Sequence, residues 1–325
     1  MTDQIKKFQK RLNETLDQLD FDKQPKELYE PLEYSLGLGG KRMRPILAIM
    51  AYLCQKDDWE KIIEPALSIE LFHNFTLIHD DIMDEAPLRR GEPTVYKKWN
   101  KDIAILSGDV LMVMAYDMLM KADYPDFKYL LKLFNTCAIE VCEGQQLDMN
   151  FEKEASVSEE AYLEMIRLKT AVLLGFSLEM GALLGGMHPK NAIHMRDFGV
   201  NIGIGFQLKD DLLDVYGNAQ KFGKQVGGDI ISNKKTLLLI KAIALAEGKE
   251  KLKLHNLLAC RDFVPDVKVR KVKEIYESLD IQRKVEKKME KYFEKAFVQL
   301  EELTDTNLNL EPLKAFTKNL IDRDH

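Results

Sequence analysis

An aspartate cluster, Asp80-Asp81-Ile82-Met83-Asp84, returns 130 residues later as Asp210-Asp211-Leu212-Leu213-Asp214, and each copy lies in a long stretch with apolar residues at helical spacing. On a helix, residues four apart share a face. Asp80 and Asp84 therefore point one way, as do Asp210 and Asp214. One such cluster alone reads as a solvated helix face. Two copies on apolar helices predict six carboxylates around one cavity, where they repel unless cations lie between them. Mg²⁺ suits that role, because it binds through one or two carboxylates plus phosphate oxygens and waters.

Apolar residues recur at three and four spacing through most of the chain, for example Leu67, Leu71, Phe75 and Ile78, or Leu130, Leu133, Phe134 and Cys137. Gly37 to Gly40, Pro87 to Pro93, Gly185 to Pro189 and Gly217 to Gly228 mark the breaks. The pattern predicts helices over 3–20, 25–36, 44–56, 58–85, 101–122, 126–152, 158–184, 190–216, 235–247, 267–279, 281–303 and 308–322. A helix that is apolar on most sides must be surrounded by others. With 46% hydrophobic residues in 325 and no linker-like composition shift, the expectation is all-α: one large helical bundle, a single domain over residues 1–325, around a deep central cavity.

A net charge of −6 argues against a nucleic-acid partner, which needs a concentrated basic face. The first twenty residues are charged throughout and lack the apolar core of a signal peptide, and no run reads as a membrane span. Cys54, Cys137, Cys142 and Cys260 show no CxxC spacing, which fits reduced thiols. A cytoplasmic location is expected.

An acidic chain must hold any anionic ligand with local cations. Candidates are Lys41 and Arg44 in GGKRMRP, Arg89 and Arg90 in PLRRGEP, Lys169 in RLKTAV, Lys224 in FGKQVGGD and Lys234 in SNKKT. Beside two metal-type acid clusters they point to diphosphate binding. Gly40-Lys41 is followed by arginine, so it is not a Walker-type phosphate loop. His73 and His79 lie six apart, on different helix faces, which makes a shared zinc site a poor reading.

GGKRMRP at 39–45, His73 upstream of DDIMD, RRG at 89–91, GQQLD at 144–148, KT at 169–170, FQLKDDLLD at 206–214, and GK and GGD within 223–229 together resemble the trans-isoprenyl diphosphate synthases, the polyprenyl synthetase family, of short-chain type. The resemblance runs the length of the chain. It implies that Asp80 and Asp84, with Asp81 nearby, bind two Mg²⁺ ions, and that Asp210 binds a third, supported by Asp211, Asp214 and Asp229. Arg89, Lys169, Gln207, Lys224 and Lys234 are then partners of the allylic diphosphate. Lys41, Arg44, His73 and Arg90 form the pocket for isopentenyl diphosphate, and Thr170 lies beside the reacting carbons. The family often has glycine before the last lysine motif, where this chain has Asn233.

The implied chemistry is ionisation of an allylic diphosphate, attack by the double bond of isopentenyl diphosphate, and proton loss to a longer trans-prenyl diphosphate. The growing tail is expected to descend beside the helix of Asp80, where Phe75 and Phe72, one and two turns earlier, form the floor. Thr76 beside them leaves room, which favours a twenty-carbon geranylgeranyl product over fifteen-carbon farnesyl diphosphate. The competing readings are a terpene cyclase, which needs no second diphosphate pocket, and a non-catalytic subunit of a prenyltransferase heteromer, a role that usually accompanies lost acids. Homodimerisation is expected from the family.

Overall fold

The computed structural model describes residues 2–217, 227–304 and 307–322. Among them the fold is all-α, as the periodicity predicts. The exception is a two-stranded antiparallel ribbon, β1 (Leu88–Arg89) and β2 (Glu92–Pro93). The described residues form two compact units interleaved in sequence: 2–136, 176–196, 303–304 and 307–318 make the first, and 137–175, 197–217, 227–302 and 319–322 the second.

The first unit contains α1 (Thr2–Asp17), α2 (Lys26–Gly37), α3 (Met43–Tyr52), α4 (Ile63–Met83), α5 (Val95–Lys98), α6 (Lys101–Leu119) and the start of α7 (Phe127–Lys153). α3 is buried from Pro45 to Tyr52 and α4 from Pro65 to Phe72, so neither shows a polar face there. α4 packs along α6, and glycine allows close approach. A Cβ on Gly108 of α6 would overlap the His79 ring. The predicted helix 58–85 begins as a separate 3₁₀ turn, Trp59–Ile62, so the acid-bearing helix is shorter than its apolar pattern.

The second unit contains the end of α7, α8 (Glu159–Ile166) and a π-helical turn over Arg167–Ala171 that leads into α9 (Val172–Gly185). It also holds most of α10 (Pro189–Tyr216), then α11 (Gly228–Ser232), α12 (Leu237–Leu245), α13 (Gly248–Ala259), α14 (Pro265–Ser278) and α15 (Ile281–Glu301). α16 (Glu311–Ile321) follows, mostly in the first unit. The core of the second unit gathers Tyr162, Ile166, Leu208, Leu212, Leu238, Tyr276 and Val285, among others.

α13 and α11 are not expected from the pattern. In α13 only Leu254 is fully buried while Leu252 is 66% exposed, so good helix formers are present without a readable apolar stripe. α11 is bounded by two left-handed residues, Gly227 and Asn233, which read locally as loop. The helical run 159–185 is long and apolar enough to cross a bilayer, but 83% of its most apolar window is buried in the protein. It is a core element.

Candidate active site

In the first unit, Asp80 lies in the last turn of α4, and Asp84 continues that turn by donating its N–H to the Asp80 carbonyl at 2.8 Å. The two carboxylates thus keep the four-residue spacing. Asp81 points inward and is 3% exposed. Both its oxygens are taken by Arg89, whose Nε lies 3.0 and 2.8 Å from Oδ1 and Oδ2 and whose Nη2 lies 2.7 Å from Oδ1. This forked geometry orients the guanidinium as well as neutralising the acid. The ribbon turn that carries Arg89 uses positive φ at Arg90 (56°) and Gly91 (85°), as a two-residue hairpin turn requires.

That turn delivers Arg90 to Gly40, where an added Cβ would lie 3.0 to 3.3 Å from the guanidinium. The glycine-rich loop before Lys41 is therefore beside Arg90. Arg44 Nη1 lies 2.9 Å from His73 Nε2. A guanidinium can only donate, so Nε2 accepts and the ring proton belongs on Nδ1. Burial, then the charges of Arg44, Arg90, Arg89 and Arg42, hold His73 well below the ordinary histidine value. The structure thus brings Arg44, His73, Arg90 and the loop before Lys41 together. Arg42, absent from the sequence-derived set, anchors this corner: it is buried and pairs with buried Glu70 at 2.7 Å.

Behind the acids on α4, the Phe75 ring stands between Phe72 (5.6 Å) and His79 (4.7 Å), and Phe72 continues to Phe134 (5.5 Å). Thr76 turns its hydroxyl onto the His73 carbonyl at 2.8 Å. Phe75 is thus one ring in a cluster of tilted and edge-to-face aromatic contacts.

In the second unit, Asp210 and Asp214 lie one turn apart on α10. Asp211, between them, is buried and 3% exposed. It accepts from the buried Tyr162 hydroxyl and from Gln207 Nε2, the latter at 3.2 Å. Burial, with Asp229 nearby, pushes Asp211 up to about 7. Asp229 is likewise pushed up to about 6, by burial first and then by Asp214 and Asp148, with Lys234 opposing. Its N–H donates to Asp214 Oδ2 at 3.0 Å.

Lys169 and Thr170 sit in the π-helical turn, a local widening that α8 and α9 alone would not give. Glycines flank it: a Cβ on Gly144 of α7 would overlap the Lys169 backbone, and one on Gly203 of α10 would fall 2.6 Å from Ala171 Cα. Lys169 Nζ pairs with Asp148 at 2.5 Å, and Thr170 Oγ1 donates to Gln207 Oε1 at 3.4 Å. Asp148 and Tyr162 are absent from the sequence-derived set. GQQLD marked Asp148, but Tyr162 carries no local signal. Lys224 lies outside the described residues.

Among the described residues no group of three or more His, Cys, Asp or Glu side chains is placed to cage a metal. All-oxygen pairs at helix-turn spacing, without a complete protein cage, fit Mg²⁺, which keeps waters and substrate oxygens in its shell. They fit zinc poorly, which takes nitrogen and sulfur donors.

The polyprenyl synthetase family model matches residues 25–279. The chain is 37% identical to the geranylgeranyl pyrophosphate synthase of Geoglobus acetivorans, over 99% of this chain and 98% of that protein. It is 34% identical to the short chain isoprenyl diphosphate synthase of Methanothermobacter thermautotrophicus, over 99% and 98%. Its fold resembles a crystal structure of geranylgeranyl pyrophosphate synthetase from Pyrococcus horikoshii, with TM-score 0.89, 32% identity and coverage of 98% and 97%. By that match over most of the chain and those identities along its full length, the chain belongs to the polyprenyl synthetase family and is a trans-prenyltransferase.

Proposed function

We propose that this protein condenses isopentenyl diphosphate with allylic diphosphates, in a Mg²⁺-dependent reaction, to give geranylgeranyl diphosphate. The carrying observation is that each aspartate cluster pairs two helix-spaced acids with one buried acid bonded to a polar side chain, Asp81 to Arg89 and Asp211 to Gln207, and this reading assigns both partners to the allylic diphosphate. Both clusters are intact, which disfavours a non-catalytic subunit.

In this reading Asp80, Asp84 and Asp210 ligate Mg²⁺, three ions in all, with Asp81, Asp211 and Asp214 supporting them. Bound Mg²⁺ supplies the charge that makes diphosphate a leaving group. Arg89, Lys169, Gln207 and Lys234, together with Lys224, bind the allylic diphosphate. Lys41, Arg44, His73 and Arg90 bind isopentenyl diphosphate, with neutral His73 offering Nδ1–H. Thr170 borders the reacting carbons, and Phe75 stops the tail.

Relatives named for twenty-carbon products support that length, although a geranylfarnesyl diphosphate synthase of Natronomonas pharaonis is also 37% identical, over 67% of this chain and 69% of that protein. Farnesyl diphosphate is the second reading. Homodimerisation is favoured by the exposed apolar stripe Leu106, Val113 and Met120, each 57–61% exposed and spaced by seven along α6 and its C-terminal cap. The cysteines are thiols, which favours the reducing cytoplasm. Asp80→Ala and Asp210→Ala should each lower turnover roughly 100-fold or more with helical circular dichroism unchanged, and near-normal rates in either would remove the metal assignment.

A further inference from the structure

Asn233 ends α11 at φ 58°, a left-handed conformation that asparagine tolerates better than most residues. Its side chain then does what glycine cannot. Nδ2 donates to the Leu258 carbonyl at 3.1 Å, in the last turn of α13, and Oδ1 accepts from Lys268 Nζ at 2.7 Å. Lys268 reaches in from α14 and is 2% exposed. Its ammonium also donates to the Ile231 carbonyl at 3.1 Å and stands 4.2 Å from the centre of the Phe263 ring. Among the described residues it meets no carboxylate.

A buried ammonium is costly unless its donors are satisfied. Here two oxygens and a ring face satisfy it, and the oxygens belong to one bend. The residue after that bend is Lys234, whose N–H donates back to the Asp229 carbonyl at 2.9 Å. The Lys234 charge acts on both Asp211 and Asp229. Three helix ends are thus tied together at the base of one lysine.

We propose that Lys268 and Asn233 form a positioning pair that fixes Lys234 beside the second acid cluster, so that its ammonium is held ready for the allylic diphosphate. This rests on the reading of Lys234 given above. Neither residue of the pair touches substrate.

The test is steady-state kinetics of the full chain with Mg²⁺, varying each diphosphate in turn, for wild type, Lys234→Ala, Lys268→Met, Asn233→Gly and the double variant Lys268→Met with Asn233→Gly. Methionine keeps the apolar stem of lysine without its charge. Lys268→Met should raise the allylic KM roughly tenfold with the isopentenyl KM within about twofold. Asn233→Gly should shift it the same way, and the double variant should be no worse than Lys268→Met, because both changes break one link. Should Lys268→Met not fold, Asn233→Gly alone decides. A raised allylic KM in Lys234→Ala with a normal one in the pair variants overturns the positioning role. So do equal effects on both substrates, or single effects that multiply. No turnover by wild type, or an unchanged allylic KM in Lys234→Ala, overturns the underlying reading and the inference with it.

Discussion

At the residue scale, the central acid of each motif does different work from its neighbours. Asp81 and Asp211 are buried and engaged by protein groups, whereas Asp84 and Asp210 are exposed. The burial has a pH consequence. Asp211 and Asp229, at about 7 and about 6, lie above the ordinary aspartate value of about 4. Their folded values exceed the unfolded ones, so the stability they contribute is complete below about pH 4 and is lost as pH rises through about 6 to 7. The Tm of the metal-free protein should therefore fall on their account from about pH 5 to about pH 8, and Asp211→Asn, which cannot ionise, should flatten that fall. A cation bound nearby favours the charged forms, so Mg²⁺ with inorganic diphosphate should raise Tm more at the upper end of that range. A variant whose Tm tracks wild type at every pH would contradict this account of Asp211.

At the scale of elements, what was legible followed apolar periodicity. α4 and α10 read clearly because Phe72, Ile78, Leu208 and Leu212 keep helical spacing around the acids. The π-helical turn did not, because RLKTA has the composition of the helix it interrupts. The neighbouring backbones that Gly144 and Gly203 admit lie against it. Gly144→Val should destabilise the fold by about 1–3 kcal/mol, measured by urea unfolding, and should slow turnover further by displacing Lys169 and Thr170. Wild-type stability with wild-type rate would show that the close approach is not required. The tyrosine behind Asp211 was illegible for a similar reason: Tyr162 reads as ordinary core, and only the fold puts its hydroxyl on a carboxylate. On α4, Phe75→Ala should open the aromatic cluster and lengthen the product by at least one five-carbon unit, read by chromatography of the dephosphorylated alcohol. An unchanged product would remove Phe75 as the floor.

For the whole molecule, family and helical class were legible, because the acid and cation motifs run the length of the chain and apolar residues keep helical spacing between them. Product length was not. In the proposed reading it depends on how aromatic rings such as Phe72, Phe75 and Phe134 pack across helices, which no local spacing encodes. The central claim is the condensation itself. The most direct measurement incubates the purified protein with Mg²⁺, labelled isopentenyl diphosphate and, in turn, dimethylallyl, geranyl and farnesyl diphosphates, and resolves the products by length. A dominant twenty-carbon prenyl diphosphate that disappears when Mg²⁺ is chelated is the predicted result. A product that stops at fifteen carbons would contradict the proposed length, and no elongation from any starter would contradict the account as a whole.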